Sequence, residues 1–177
     1  SGILFECVSD NAALSCTMSN SKILNCFSKK EGAALSIHTK TSDSYVRMTG
    51  CSVENCVAEG NTNDSGGIVR IGVGTNSAGA STNVCSLTAT RCTFSGNYNN
   101  GADGGGAIYW PNNTNAATKL LTLEGCTITG NHSLEYGGGV YCKYAVMKDC
   151  TITGNEVRVV DNTLDFLVNE AGGVFAD

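Results

Sequence analysis

The chain has 177 residues, among them 22 glycines, 10 cysteines and only 1 proline, with charged residues at 15% and a formal net charge of -5. The length suits one domain, and the acidic balance leaves no basic field to hold nucleic acid or an anionic membrane surface. No run of about 18 apolar residues is present to cross a bilayer as a helix, so any membrane association would come through parts of a longer chain.

In chain order the sequence alternates two phrases. The first is an apolar residue, two variable positions and a cysteine. It is read at Leu4-Phe5-Glu6-Cys7, Ile23-Leu24-Asn25-Cys26, Val53-Glu54-Asn55-Cys56, Ala89-Thr90-Arg91-Cys92, Leu123-Glu124-Gly125-Cys126 and Met147-Lys148-Asp149-Cys150. The second is two small residues and a branched aliphatic: Ala12-Ala13-Leu14, Ala33-Ala34-Leu35, Gly66-Gly67-Ile68, Gly106-Ala107-Ile108, Gly138-Gly139-Val140 and Gly172-Gly173-Val174. Ordered alternation with connections of unequal length is the pattern of a solenoid whose turns carry different loops.

Within a unit, Leu121 to Asn131 alternates apolar and polar with a phase change at Gly125, which predicts two short strands and a corner. The same spacing is read at Cys51/Val53/Cys56/Ala58/Asn61, Leu87/Ala89/Cys92/Phe94/Asn97 and Ala145/Met147/Cys150/Ile152/Asn155. A third strand follows the small-residue phrase, where Gly139-Val140-Tyr141-Cys142 matches Ala107-Ile108-Tyr109-Trp110 and Ala13-Leu14-Ser15-Cys16. No segment has a helical period. The prediction is an all-β parallel β-helix, a solenoid of about six coils, each of three short strands, with residues 1–177 forming a single piece of a longer solenoid. Residues 39–44, 72–83, 111–118 and 156–169 read as excursions from the stack. The last has apolar runs around Asp161-Asn162 and fits either a partner-facing hairpin or a flap over the open edge.

Stacking at about 4.8 Å predicts inward ladders of Cys7, Cys26, Cys56, Cys92, Cys126 and Cys150, and of Leu14, Leu35, Ile68, Ile108, Val140 and Val174. The cysteines are read as small buried apolar residues. No pair has the C-x-x-C spacing of a zinc site, and a parallel column cannot close four thiolates around one ion. Parallel Cβ vectors also disfavour vertical disulfides. Cys16, Cys51, Cys85 and Cys142 share the inward phase. Asn61, Asn97, Asn131 and Asn155 recur at the corner after the second strand, as a structural asparagine ladder. Asn131-His132-Ser133 is formally a glycosylation sequon at a ladder position, whereas Asn63 and Asn112 head sequons in loops.

Counting back four or five positions from each ladder aliphatic finds Asp10, Glu31, Asp64, Asp103, Glu135 and Glu170, one acid per coil. Stacked carboxylates repel by on the order of 1 kcal/mol per neighbour even in water, so something must offset the charge. Bonds from glycine-corner N–H groups would do so, and so would a stripe of calcium ions; both readings are open. No other cofactor is implied. His38 and His132 are the only histidines and stand in different coils, with no nucleophile beside a base and no phosphate loop. The expectation is a protein that is not an enzyme, with a polysaccharide lyase or hydrolase as the alternative.

Phe94-Ser95-Gly96-Asn97 and Gly105-Gly106-Ala107-Ile108, with variants at Ile128–Asn131, Ile152–Asn155, Gly137–Val140 and Gly172–Val174, resemble the F-x-x-N and G-G-A-[ILV] repeats of chlamydial polymorphic membrane proteins. Related repeats occur in surface proteins of protozoan parasites, trichomonads included. The resemblance covers most of the chain from Cys51 to Asp177 and implies a right-handed parallel β-helix displayed as a secreted, cell-surface adhesin whose partner is a host-cell protein or glycan. A purely structural stalk or filament module is the second reading.

Overall fold

The computed structural model describes residues 3–6, 13–29, 32–38, 44–59, 67–71, 85–101, 104–110, 121–157 and 172–176. These residues are all-β, with no helix among them. The chain enters with β1 (Ile3–Glu6). The first coil is β2 (Ser15–Ser19), β3 (Lys22–Leu24), β4 (Phe27–Ser28) and β5 (Leu35–His38). The second is β6 (Ser44–Thr49), β7 (Ser52–Glu54), β8 (Val57–Ala58) and β9 (Val69–Ile71). The third is β10 (Cys85–Thr90), β11 (Thr93–Ser95), β12 (Tyr98–Asn99) and β13 (Ile108–Trp110). The fourth is β14 (Leu121–Glu124), β15 (Thr127–Thr129), β16 (His132–Ser133) and β17 (Val140–Cys142). The fifth is β18 (Ala145–Lys148), β19 (Thr151–Thr153), β20 (Glu156–Val157) and β21 (Val174–Ala176).

Equivalent strands pair in parallel across coils and build four sheets, ordered β18-β14-β10-β6-β2, β19-β15-β11-β7-β3, β20-β16-β12-β8-β4 and β1-β5-β9-β13-β17-β21. The molecule is a parallel β-helix, as the repeat predicts. Three strands per coil were expected, and a fourth of only two residues lies between the second and third. Two residues carry no readable period, so the sequence hides this side.

In the first two sheets the strands of the middle coils, β6, β7, β10, β11, β14 and β15, follow period 2. In β10, Cys85, Leu87 and Ala89 are buried, whereas Ser86, Thr88 and Thr90 are partly exposed. The core columns are Cys16/Val46/Leu87/Leu121/Ala145, Met18/Met48/Ala89/Leu123/Met147 and Ile23/Val53/Phe94/Ile128/Ile152. Two corners turn the first three sides, and each is turned by one residue in the left-handed region. At the first these are Asn20, Gly50, Arg91, Gly125 and Asp149, and at the second Asn25, Asn55, Gly96, Gly130 and Gly154, all with φ between 48° and 62°. Glycine and asparagine adopt this backbone at least cost, and the reversal it imposes is the phase change seen at Gly125.

The register between coils departs from the predicted one in three places. Thr93 pairs with Ser52 and Phe94 with Val53, so Cys92 stacks on Cys51 and not on Cys56. The true columns are Ser21/Cys51/Cys92/Cys126/Cys150 at the first corner and Cys26/Cys56/Asn97/Asn131/Asn155 at the second. Position 61, predicted as an asparagine corner, lies beyond β8, and Cys56 fills that corner instead. Asn61 itself is outside the described residues.

At the amino-terminal end Ile3 pairs with Leu35, so Leu4-Phe5-Glu6 belongs to the fourth sheet, and Cys7 lies outside the described residues. Tyr45 N–H donates to Leu14 O, which puts Leu14 at the head of the first sheet, where Ser44 and Cys85 are its counterparts, rather than in the aliphatic column. That column is Ile3/Leu35/Val69/Ile108/Val140/Val174. Ile68 is displaced by one residue: it stands level with Ala34 and Ala107, whose N–H groups bond to Ile68 O and to the matching Gly139 O. Of the predicted excursions, Ser44 and Glu156-Val157 lie in strands, while 39–43, 72–83, 111–118 and 158–169 fall outside the described residues.

Candidate functional site

The second-corner column is a hydrogen-bonded ladder. Asn131 Oδ1 accepts from Asn97 N at 3.1 Å and from Asn97 Nδ2 at 2.8 Å. Its Nδ2 donates to Phe94 O at 3.0 Å and to Asn155 Oδ1 at 2.8 Å. Asn97 repeats the scheme one coil earlier, donating to Val53 O at 3.0 Å and accepting from Cys56 N at 3.0 Å. Cys56 stands in for an asparagine, since its Sγ donates to the equivalent carbonyl, Ile23 O, at 3.8 Å. Asn97 and Asn131 are fully buried, so the Asn131 sequon is an interior position. Asn63 and Asn112 are outside the described residues.

The first-corner thiols bond to main-chain carbonyls in the same manner. Cys126 Sγ reaches Ala89 O at 3.3 Å and Cys150 Sγ reaches Leu123 O at 3.4 Å. The nine described cysteines are free thiols, and seven of them are buried, Cys26 and Cys150 being half-buried. Burial pushes the Cys56 and Cys142 thiols up to about 11 and raises Cys16, because the interior disfavours the thiolate. Cys92 and Cys126 are neighbours in the first-corner column, and their thiols shift in opposite directions. The interaction between the two thiols holds Cys126 below the usual thiol value and, with burial, pushes Cys92 up.

A raised folded-state thiol value means stability that is complete below pH 9 and lost as pH rises through about 11. Each of Cys56 and Cys142 is expected to contribute roughly 2 kcal/mol to that loss, or about 4–8 °C in melting temperature. Thermal melts of the native chain and of Cys142→Ala between pH 8 and pH 11 check this. The variant should lose less stability on that rise, and identical slopes would contradict the assignment.

Of the six acids predicted to form a stripe, only Glu135 lies among the described residues. Asp10, Glu31, Asp64, Asp103 and Glu170 are themselves outside the described residues. Among those described, no group of three or more His, Cys, Asp or Glu is placed to hold a metal ion.

The outer faces differ in chemistry. On the second sheet Ser52, Thr93, Thr127 and Thr151 form one outward row and Ser95, Thr129 and Thr153 another, with Thr129 Oγ1 3.4 Å from Thr153 Oγ1. The third sheet carries Phe27, Val57, Tyr98, His132 and Glu156 in one row, with the Tyr98 and His132 rings 6.2 Å apart and His132 Nδ1 3.4 Å from Glu156 Oε2. The side chain of His38 is outside the described residues. On the fourth sheet Ser36, Arg70, Tyr109 and Tyr141 share the outward phase. Tyr141 stacks on Tyr109 at 5.1 Å and meets Tyr136 at 6.1 Å. Ser133 Oγ donates to Tyr136 O at 2.8 Å and fixes the turn that carries this last ring. The sequence reading passed over these tyrosines; the recurrence of Ile108-Tyr109 and Val140-Tyr141 was the signal that could have found them.

The fold and these faces define the class of the molecule as a parallel β-helix with a thiol- and asparagine-laddered interior and an aromatic outer ridge. Comparison with known proteins finds no matching family model, no matching curated protein and no matching solved structure.

Proposed function

We propose that this chain is an extracellular, adhesin-like β-helix of the polymorphic-membrane-protein kind, which binds a host-cell surface protein or glycan and catalyses no reaction. The observation that carries the reading is the ridge of half-buried Tyr136 and Tyr141 built on the buried Tyr109. Rigidly held tyrosines offer large contact area with a polar tip at small entropic cost, the property that concentrates binding energy in recognition surfaces. The two motifs of the resemblance also have physical work in this fold. Phe94 fills the core and Asn97 extends the amide ladder, while Gly106-Ala107-Ile108 lets adjacent coils approach. Free thiols suit an oxidising exterior only where oxidant has no access, and seven of the nine described are buried.

The test is binding of the full chain to cultured host cells and to a glycan array, with Tyr136→Ala/Tyr141→Ala as the variant. Binding at least tenfold weaker in the variant, with an unchanged circular dichroism spectrum, is the expected result. No binding by the native chain to either target would favour a stalk, a reading supported by the unbroken stacking of five coils. Release of reducing ends or unsaturated sugars from a polysaccharide panel would overturn the non-enzymatic reading.

A further inference from the structure

The first-corner column sets four thiols one above another in consecutive coils. Thr93 N–H donates to Cys51 O, Thr127 N–H to Cys92 O and Thr151 N–H to Cys126 O, so each of these cysteines lies one strand spacing from the next. Their side chains also lie alike, each thiol within reach of the carbonyl two residues before it. Cys51 Sγ is 3.5 Å from Thr49 O and Cys92 Sγ is 3.4 Å from Thr90 O. Cys126 Sγ is 3.6 Å from Glu124 O and Cys150 Sγ is 3.3 Å from Lys148 O. The same local contact in the same turn gives one side-chain orientation, which separates neighbouring sulfurs by the strand spacing of about 4.8 Å.

Parallel thiols at this distance suit neither a disulfide nor a tetrahedral ion. A disulfide needs its sulfurs about 2 Å apart and its two Cβ–S bonds turned by about 90°, and zinc needs four ligands around it. A two-coordinate ion asks only for one sulfur on each side. With a metal–thiolate bond of about 2.3 Å that span is about 4.6 Å, close to what the strands impose. Soft thiolate ligands select copper(I). Cys92 and Cys126 are each 1% exposed and Cys51 is 3% exposed, so water and oxidant are kept from the column. We propose that Cys92 and Cys126 hold a copper(I) ion in linear two-sulfur coordination inside the β-helix. Binding breaks two S–H bonds, forms two S–Cu bonds and releases two protons to solvent, with no change of oxidation state. The site stands independently of the adhesin reading.

Ser21 shows which variant keeps the fold. It occupies the same column one coil before Cys51, and its Oγ donates to Ser19 O at 2.9 Å, the carbonyl position that the thiols also reach. Serine is therefore compatible with this corner. The full chain, with its thiols reduced, is titrated with copper(I) in the absence of air against a competing chelator. Uptake is read by the thiolate-to-copper charge-transfer absorbance, and the coordination by X-ray absorption at the copper edge. The native chain should take up at least one ion with two sulfur neighbours, keep its circular dichroism spectrum and melt at a higher temperature when loaded. Cys126→Ser and Cys92→Ser should each bind at least one equivalent fewer. Cys142→Ala, which removes a buried thiol of the fourth sheet, should bind as the native chain does. A Cys126→Ser chain that loads like the native one overturns the proposal, as does a native chain that takes up no copper(I), one whose copper has three or more ligands, or one that binds only with loss of its β spectrum. An equal loss of binding in Cys142→Ala would show scavenging by thiols in general and overturns it too.

Discussion

Replacing Asn131 by alanine is expected to cost about 4 kcal/mol and to lower the melting temperature by roughly 10 °C. The side chain is fully buried and takes part in four hydrogen bonds. Its loss strands the Asn97 N–H and leaves the Phe94 carbonyl, the Asn97 amide and the Asn155 amide each one partner short. A buried donor or acceptor left without a partner costs about 1–3 kcal/mol. Asn131→Cys should cost less than half as much, because Cys56 shows that a thiol in this column reaches the carbonyl below it, here Ile23 O at 3.8 Å. Urea unfolding of the native chain and both variants measures the order. An alanine variant within 1 kcal/mol of the native chain would mean that the amide ladder is not what holds the coils in register.

Gly106→Ala should be comparably severe for a different reason. A Cβ at this position would run into the carbonyl oxygen of Gly138 in the next coil and would lie 2.7 Å from His132 O. Both obstacles are backbone, which cannot rotate away, so two coils would have to separate where Ala107 and Ile108 donate to Gly139 O. The expected cost is roughly 3–5 kcal/mol, in the range of forced overpacking. Gly130→Ala supplies the contrast. Its φ of 61° is left-handed, but an added Cβ would meet nothing closer than Gly96 N at 3.9 Å, so only the conformational cost of about 1–2 kcal/mol applies. Comparable losses for the two variants would show that close approach between coils is not the reason for glycine at position 106.

The misplaced register has a local cause. Every coil carries the same short grammar twice: an apolar residue, an outward residue, a left-handed corner residue, then cysteine or asparagine, with serine at Ser21 as the one exception. Met48-Thr49-Gly50-Cys51 and Val53-Glu54-Asn55-Cys56 obey it equally, and one must stack on Ala89-Thr90-Arg91-Cys92 while the other stacks on Phe94-Ser95-Gly96-Asn97. A phrase ending in cysteine looks like its neighbour in either coil. The interval between the two corners is the better guide, since Ser21/Cys26, Cys51/Cys56, Cys92/Asn97, Cys126/Asn131 and Cys150/Asn155 are all spaced alike. A like ambiguity displaced Ile68, where Gly66-Gly67 precede two aliphatics, Ile68 and Val69. The outer tyrosines were missed because outward positions carry no periodic constraint from the core.

What the sequence determined by itself is the kind of coil. Alternation of period 2, glycine or asparagine at left-handed corners and recurrence of the unit depend only on neighbouring residues, and they dictate short strands joined by corners that can bury one face only by stacking. Which residue sits above which was decided by the tertiary structure. That choice is settled by parallel hydrogen bonds between segments tens of residues apart and by burial of whole columns at once. A slip of one strand leaves each local phrase intact but breaks the asparagine ladder, and so the cysteines at Cys56 and Cys92, alike in sequence, belong to different columns.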